Sequence, residues 1–213
     1  MRSHKGLFIT FESTLEGLGK STQAHLLAEA LREQGFDVVL TRESGGTELG
    51  QELRKILLHS EYELSKATEL FLQLADRAQH YKEVLKPSLR KGKIVISDRY
   101  FDSTLVYQGA GRGWKDALLW RLHHATTGSL LPDLTIVLEG SPYKEMDASD
   151  RFEKEGTLFF EKVKNAMLHL TTKDSRYALL NANQEVETLH ETIMKVIHER
   201  KLLDDEVRTT PDA

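Results

Sequence analysis

The chain has 213 residues, 39% of them hydrophobic and 29% charged, with a formal charge of -4. That length suits one substantial α/β domain with little room for a second, and the slightly acidic balance provides no broad basic field for nucleic acid. The absence of cysteine excludes disulfides, thiolate catalysis and Cys-ligated zinc, and the opening MRSHKGLFITFE enters an apolar run too brief for a signal-peptide core or a membrane span. A cytoplasmic protein with no membrane or nucleic-acid partner is therefore expected.

In chain order, the β-rich apolar runs are 7–11, 38–41, 94–97, 134–138 and 177–180. Between them lie segments of helical period at 21–34, 49–59, 67–91, 114–126, 157–170 and 185–201. The runs at 94–97 and 134–138 are short, continuous and non-alternating, as strands covered on both faces are. Alternation of buried strands with helices predicts a doubly wound parallel sheet of five strands flanked by helices. Gly35, Gly92 and Gly128 each follow a helical segment, where a left-handed cap suits glycine. The expected organisation is one domain over 1–201 with a lid at about 140–155, followed by a frayed polar tail over 202–213.

The first strand runs into Thr14-Leu15-Glu16-Gly17-Leu18-Gly19-Lys20-Ser21-Thr22 and then a helix. Strand, glycine loop and helix start together aim several backbone N–H groups and the positive end of a helix at one point, which suits a phosphate. Lys20 is placed to reach the β and γ oxygens of a nucleotide, and the Ser21 hydroxyl to ligate Mg²⁺. Thr14 stands where such loops begin with glycine, and the junction is one residue longer than usual. The expectation is that Ser13 and Thr14 absorb the turn as a small bulge, at roughly 1–3 kcal/mol of strain or lost affinity.

Further motifs follow in order: TRESGGT over 41–47, ADRAQH over 75–80, SDRY over 97–100, DSTLVYQG over 102–109, PDLT over 132–135 and DRFE over 150–153. Together with the phosphate loop they resemble the bacterial thymidylate kinases, from about residue 6 to about residue 201. The resemblance implies a P-loop fold and transfer of the γ-phosphoryl group of ATP to dTMP, giving dTDP, with Mg²⁺ bridging the phosphates. It also implies a homodimer.

Residue by residue, the resemblance places ATP on Glu16, Gly17, Leu18, Gly19, Lys20, Ser21 and Thr22. It places Asp98 near Mg²⁺ with Ser21 and Glu16. Asp98 also fits a helix N-cap on its own reading, although it ends a strand at the edge where open α/β sheets bind ligands. Arg99 and Arg54 resemble arginines that grip the acceptor phosphate, a task suited to a guanidinium; in isolation, Arg54 in QELRK reads as a solvated helix face. Arg77 is similar to the residue bonded to the thymine carbonyl, Thr104 and Gln108 to residues touching the base, and Tyr107 to the ring under the deoxyribose. Glu43 and Glu16 are similar to acidic residues near the sugar and the metal.

Departures from the family pattern bear on activity. Besides Thr14, Gln73 stands one helical turn before Arg77, where the family offers an aromatic ring for the base, and Phe71 lies on another face. Such stacking is worth about 1–3 kcal/mol. The lid segment is acidic, with Lys144 and Arg151 as its remaining cations; these two are expected to supply catalytic charge alongside Lys20 and Arg99. Alternative readings are a nucleoside monophosphate kinase of altered base preference, motivated by the Gln73 amide, and a nucleotide-binding homologue with impaired catalysis. Trp114 and Trp120, six apart in a helical segment, are expected in core or dimer packing.

Overall fold

The computed structural model describes residues 6–141 and 155–203. Its five strands are β1 (Leu7–Ser13), β2 (Val38–Arg42), β3 (Ile94–Asp98), β4 (Leu134–Glu139) and β5 (Tyr177–Asn181). They form one sheet in the order β2-β3-β1-β4-β5, and every pairing is parallel. Every residue of β1 and β3 is buried, whereas the edge strands β2 and β5 are only partly so. A parallel strand covered on both faces has no solvent side on which to place polar residues, which is why these runs read as continuous apolar stretches.

The two-residue side-chain period divides β1 between two cores. Leu7, Ile9 and Phe11 pack on one face with Leu27 and Leu31 of α1 (Lys20–Glu33) and with Leu189, Ile193 and Ile197 of α8 (Val186–Glu199). Phe8 points the other way, into a cluster with Leu70 and Leu74 of α3 (Lys66–His80), Val95, Tyr100 and Phe101. A third cluster joins Val106 and Tyr107 to Phe159, Val163 and Met167 of α7 (Thr157–Thr171). Each fully buried side chain of this size contributes about 1.5–3 kcal/mol, so these faces dominate the stability of the fold. Thr47 caps α2 (Glu48–His59) by accepting from Gly50 N–H, and Ser65 caps α3 by accepting from Thr68 N–H.

The structure revises four expectations. First, the β1–β4 register runs unbroken to Ser13 opposite Leu138, and the Thr14 N–H donates to Leu138 O at 2.9 Å. Thr14 follows the last strand residue at a bend and keeps a hydrogen bond to β4, and the bulge is absent from that register. Among the described residues, the non-glycine positions with left-handed φ are Arg99, Ser129 and Lys201, so the strain expected at Thr14 has no backbone basis.

Second, the helical segment expected over 67–91 is interrupted. After α3, Tyr81–Leu85 forms a π-helical turn leading into α4 (Lys86–Arg90). Pro87 has no N–H and its ring crowds the carbonyl four residues back, that of Glu83, which lies in the widened turn. Third, Phe101–Gly111, unassigned in the sequence, forms a short helix α5 (Phe101–Thr104) and a π-helical stretch Leu105–Gly111. Fourth, Trp114 precedes α6 (Asp116–Thr127), so only Trp120 is helical; Trp114 packs against the Phe8 cluster.

Candidate active site

The loop between β1 and α1 turns through two left-handed glycines, Gly17 at φ 72° and Gly19 at φ 85°. A Cβ at Gly19 would meet no atom within 4 Å, so glycine is required there by the backbone angle and not by space. Gly19 is the N-cap of α1, no side chain caps that helix, and its first turn holds no acidic residue. The N–H groups of this turn are thus left to an external anion.

Lys20 begins α1 and is buried; its Nζ donates to Ser13 Oγ at 2.7 Å and lies 3.3 Å from Glu16 Oε2. Ser21 Oγ donates to Asp98 Oδ2. Asp98 is the last residue of β3, and its Oδ1 is buried with no hydrogen-bond partner among the described residues. An unpartnered carboxylate oxygen beside a hydroxyl is a set of hard oxygen donors, which fits Mg²⁺. Among the described residues, no group of three or more His, Asp or Glu side chains forms a metal cage. Mg²⁺ in nucleotide sites takes one or two carboxylates and completes its shell with phosphate and water.

Arg99 follows at once in the left-handed conformation, φ 72°, its N–H donating to Phe11 O at 2.9 Å. Holding a bulky residue there costs roughly 1–3 kcal/mol and is characteristic of functional positions. The turn brings its guanidinium onto Glu16 Oε1, to 3.0 Å from Ser103 Oγ, and over the Tyr107 ring at 5.4 Å. Tyr107 Oη also donates to Glu16 Oε1, at 2.6 Å. Burial works to raise the Glu16 carboxyl, but Arg99 and then Lys20 overrule it and hold the group well below the usual carboxylate range. Arg99 in turn is held cationic, with Glu16 overcoming the effect of burial.

A first cavity is lined by Gln73, Arg77, Thr104, Tyr107 and Gln108 together with Glu16, Glu43, Arg54 and Arg99. A second is lined by Gly17–Gln23 and Asp98, and it shares Glu16, Glu43, Arg54 and Arg99 with the first. Arg54 is half-buried, not a solvated face, and its Nη1 donates to Ser44 O at 3.0 Å. Arg77 is buried between the rings of Tyr100 and Phe101, 5.4 and 5.6 Å from their centroids, with Nε donating to Glu43 Oε2 at 2.8 Å. Its Nη1 has no hydrogen-bond partner among the described residues.

Glu43 braces Arg77 as well as lining both cavities: its other oxygen meets His80 Nδ1 at 2.8 Å, and His80 Nε2 meets Thr41 Oγ1 at 2.7 Å. Burial opposes the ionised form of Glu43, yet Arg77 and His80 keep its carboxyl below the ordinary value. Gln73 lines the first cavity one turn before Arg77, while Phe71 is 60% exposed. The expected residues therefore gather around two adjoining cavities, except Lys144 and Arg151, which lie outside the described residues together with most of the lid and the DRFE motif.

Sequence reasoning missed the residues that hold this wall in place. Glu12, fully buried at the end of β1, accepts from Tyr100 N–H at 2.9 Å, Ser103 N–H at 3.2 Å and Ser103 Oγ at 2.6 Å. Asp102 anchors α5 from below: Arg176 donates to both of its oxygens, at 2.8 and 2.6 Å, and Tyr177 Oη donates at 2.7 Å. A glutamate inside β1 was the available signal for the first; the second opens the DSTLVYQG motif, but nothing local marked Arg176 and Tyr177 as its partners.

Comparison with known proteins is consistent with this geometry. The thymidylate kinase family model matches residues 15–193. A thymidylate kinase of Halothermothrix orenii is 39% identical over 198 residues, covering 89% of this chain and 95% of the relative. One of Pseudomonas fluorescens (strain SBW25) is 44% identical over 196 residues, covering 88% and 93%. The crystal structure of thymidylate kinase from Ehrlichia chaffeensis superposes with a TM-score of 0.76 at 34% identity, covering 91% of this chain and 98% of that one.

Proposed function

From a chain that belongs to the thymidylate kinase family, and whose phosphate-loop cavity adjoins a second cavity across a shared wall, we infer ATP-dependent phosphorylation of dTMP. The carrying observation is that Arg99, Arg54, Glu16 and Glu43 belong to both cavities at once. A donor polyphosphate on one side and an acceptor phosphate on the other then meet at two guanidinium groups. In the transfer, an oxygen of the dTMP phosphate forms a bond to the γ-phosphorus as the bond from that phosphorus to the β–γ bridging oxygen breaks, and ADP leaves. Such chemistry needs positioning and charge neutralisation and little else.

The N–H groups of Gly17–Thr22 hold the donor phosphates, and Lys20 exchanges Ser13 and Glu16 for their oxygens. Ser21 and Asp98, with Glu16 nearby, would hold Mg²⁺. That ion, when bound, neutralises the bridging charge. Arg99 and Arg54 grip the acceptor phosphate, Arg77 Nη1 donates to the thymine carbonyl, Thr104 and Gln108 touch the base, and the Tyr107 ring lies under the deoxyribose. Arg151, assisted by Lys144, supplies the lid charge.

Four exposed apolar residues support a homodimer: Leu49 and Ile56 on α2, Phe71 on α3 and Trp120 on α6, with α3 packed against both neighbouring helices. No helix among the described residues is long and apolar enough to cross a membrane. The function is tested by coupled ADP release with ATP, Mg²⁺ and dTMP, dUMP, UMP or dGMP. Preference for dTMP is expected. Preference for another acceptor, or nucleotide binding without turnover, overturns the reading.

A further inference from the structure

Glu69 and Arg112 belong to none of the motifs above, yet they stand directly behind the base end of the first cavity. Glu69 is 1% exposed. It lies four residues before Gln73 and eight before Arg77 on α3, so all three share one helical face. Gln108 Nε2 donates to Glu69 Oε1 at 3.0 Å. Arg112 forks onto the same carboxylate, Nε to Oε1 at 3.2 Å and Nη2 to Oε2 at 3.0 Å. Arg112 is itself held by Glu155 Oε1 at 2.6 Å and by the Phe159 ring, whose centroid lies 4.8 Å away.

A side-chain amide has a donor end and an acceptor end that differ little in shape, so its orientation is fixed by its partners. The carboxylate of an ion pair accepts and cannot donate. Glu69 therefore demands the NH₂ end of Gln108, and the end left for the cavity is the carbonyl oxygen.

We propose that Glu69, held by Arg112, locks the Gln108 amide with its carbonyl toward the base and thereby selects a 4-oxo pyrimidine over a 4-amino one. This rests on the reading of the first cavity as the dTMP site. Thymine presents a carbonyl at position 4 and an N–H at position 3, which match the Arg77 donor and the Gln108 acceptor. Cytosine presents an amine at position 4 and an unprotonated nitrogen at position 3, so both pairings become donor against donor or acceptor against acceptor. Glu69 is thus a positioning residue that acts through Gln108.

The experiment compares dTMP and dCMP as acceptors for the parent and for Glu69→Gln, with a thermal melt to establish folding. The variant amide accepts Gln108 in either orientation. The ratio of kcat/KM for dTMP over dCMP should fall about tenfold, mainly through a higher KM for dTMP and a lower KM for dCMP. Turnover of dTMP by the parent tests the proposed function separately: its absence defeats that reading, whatever the variant does. If the parent is active and folded Glu69→Gln keeps the parental ratio within about twofold, the lock is wrong. Should Glu69→Gln fail to fold, Arg112→Gln decides. Removing the fork frees the carboxylate to turn away from Gln108, so the same fall is expected, with Arg112→Lys restoring only part of the ratio because an ammonium cannot hold both oxygens. A parental ratio in Arg112→Gln also overturns the proposal.

Discussion

Arg99 and Glu16 stand 83 positions apart in the chain, and the guanidinium of one donates to the carboxylate of the other at the seam between the two cavities. Both residues line both cavities, and in the proposed reaction entry of the acceptor phosphate exchanges a carboxylate partner of Arg99 for a phosphate one. A left-handed backbone at Arg99 and the Tyr107 hydroxyl on Glu16 hold the exchange point in register.

Replacing this guanidinium should be costly. Arg99→Ala is expected to lower kcat/KM for dTMP by about 10²–10³-fold, the loss typical of removing one preorganised donor from developing charge. Arg99→Lys should recover only a small part, because an ammonium cannot hold two phosphate oxygens in one plane. Full recovery by lysine in steady-state assays would show that charge alone suffices.

In the proposed metal site, Asp98→Asn removes the charge beside the Oδ1 that has no partner among the described residues and leaves the Ser21 hydroxyl in place. Half-maximal activity should then require about 10–100-fold more Mg²⁺. A magnesium titration at saturating ATP and dTMP measures this, and an unshifted midpoint would take Asp98 out of the metal site.

Gln73 lines the first cavity, the proposed base site, without offering a ring. Gln73→Phe should lower the KM for dTMP about fivefold or more, given a stacking contribution of about 1–3 kcal/mol, with kcat little altered because the proposed contact is to the base and not to the transferred group. An unchanged or higher KM would mean that the base does not lie over this position.

Glu12 ties stability to pH. Burial, opposed by the Arg99 charge and aided by that of Asp102, pushes its carboxyl from 4.5 up to about 7. A carboxyl raised in the folded state keeps its proton there longer than in the unfolded chain. Below pH 4.5 both states are protonated and the group has no effect. Between 4.5 and 7 unfolding releases a proton, so stability falls as pH rises, by at most about 1.4 kcal/mol per unit. Above 7 the penalty is constant. Glu12→Gln keeps acceptors for Tyr100 and Ser103 N–H and removes this slope. Thermal melts from pH 5 to 8 should show the variant gaining on the parent; parallel profiles would contradict the assignment.

The lid prediction concerns Arg151. Loss of a cation that meets charge in the transition state lowers phosphoryl transfer by about 10³–10⁵-fold, and Arg151→Ala should lower kcat on that scale. A rate within about twofold of the parent would remove Arg151 from the mechanism.

The amino-acid sequence alone determined what short-range chemistry determines. Continuous apolar runs became parallel strands because their faces are covered, Gly17 and Gly19 became a tight loop because glycine takes left-handed angles without strain, and the helix starting at Lys20 follows from the spacing of Ala24, Leu27, Ala28 and Leu31. The tertiary structure alone decided how those parts brace one another. The clamp of Arg176 on Asp102 and the fork of Arg112 on Glu69 join residues 74 and 43 positions apart, and no periodicity encodes such a separation. Thr14 makes the same point: its fitness depends on Leu138, 124 positions away, a neighbour that exists only once β4 has docked. Local conformation is set by sterics within a few residues, whereas the partner of a buried charge is set by which strands and helices the packed core brings together.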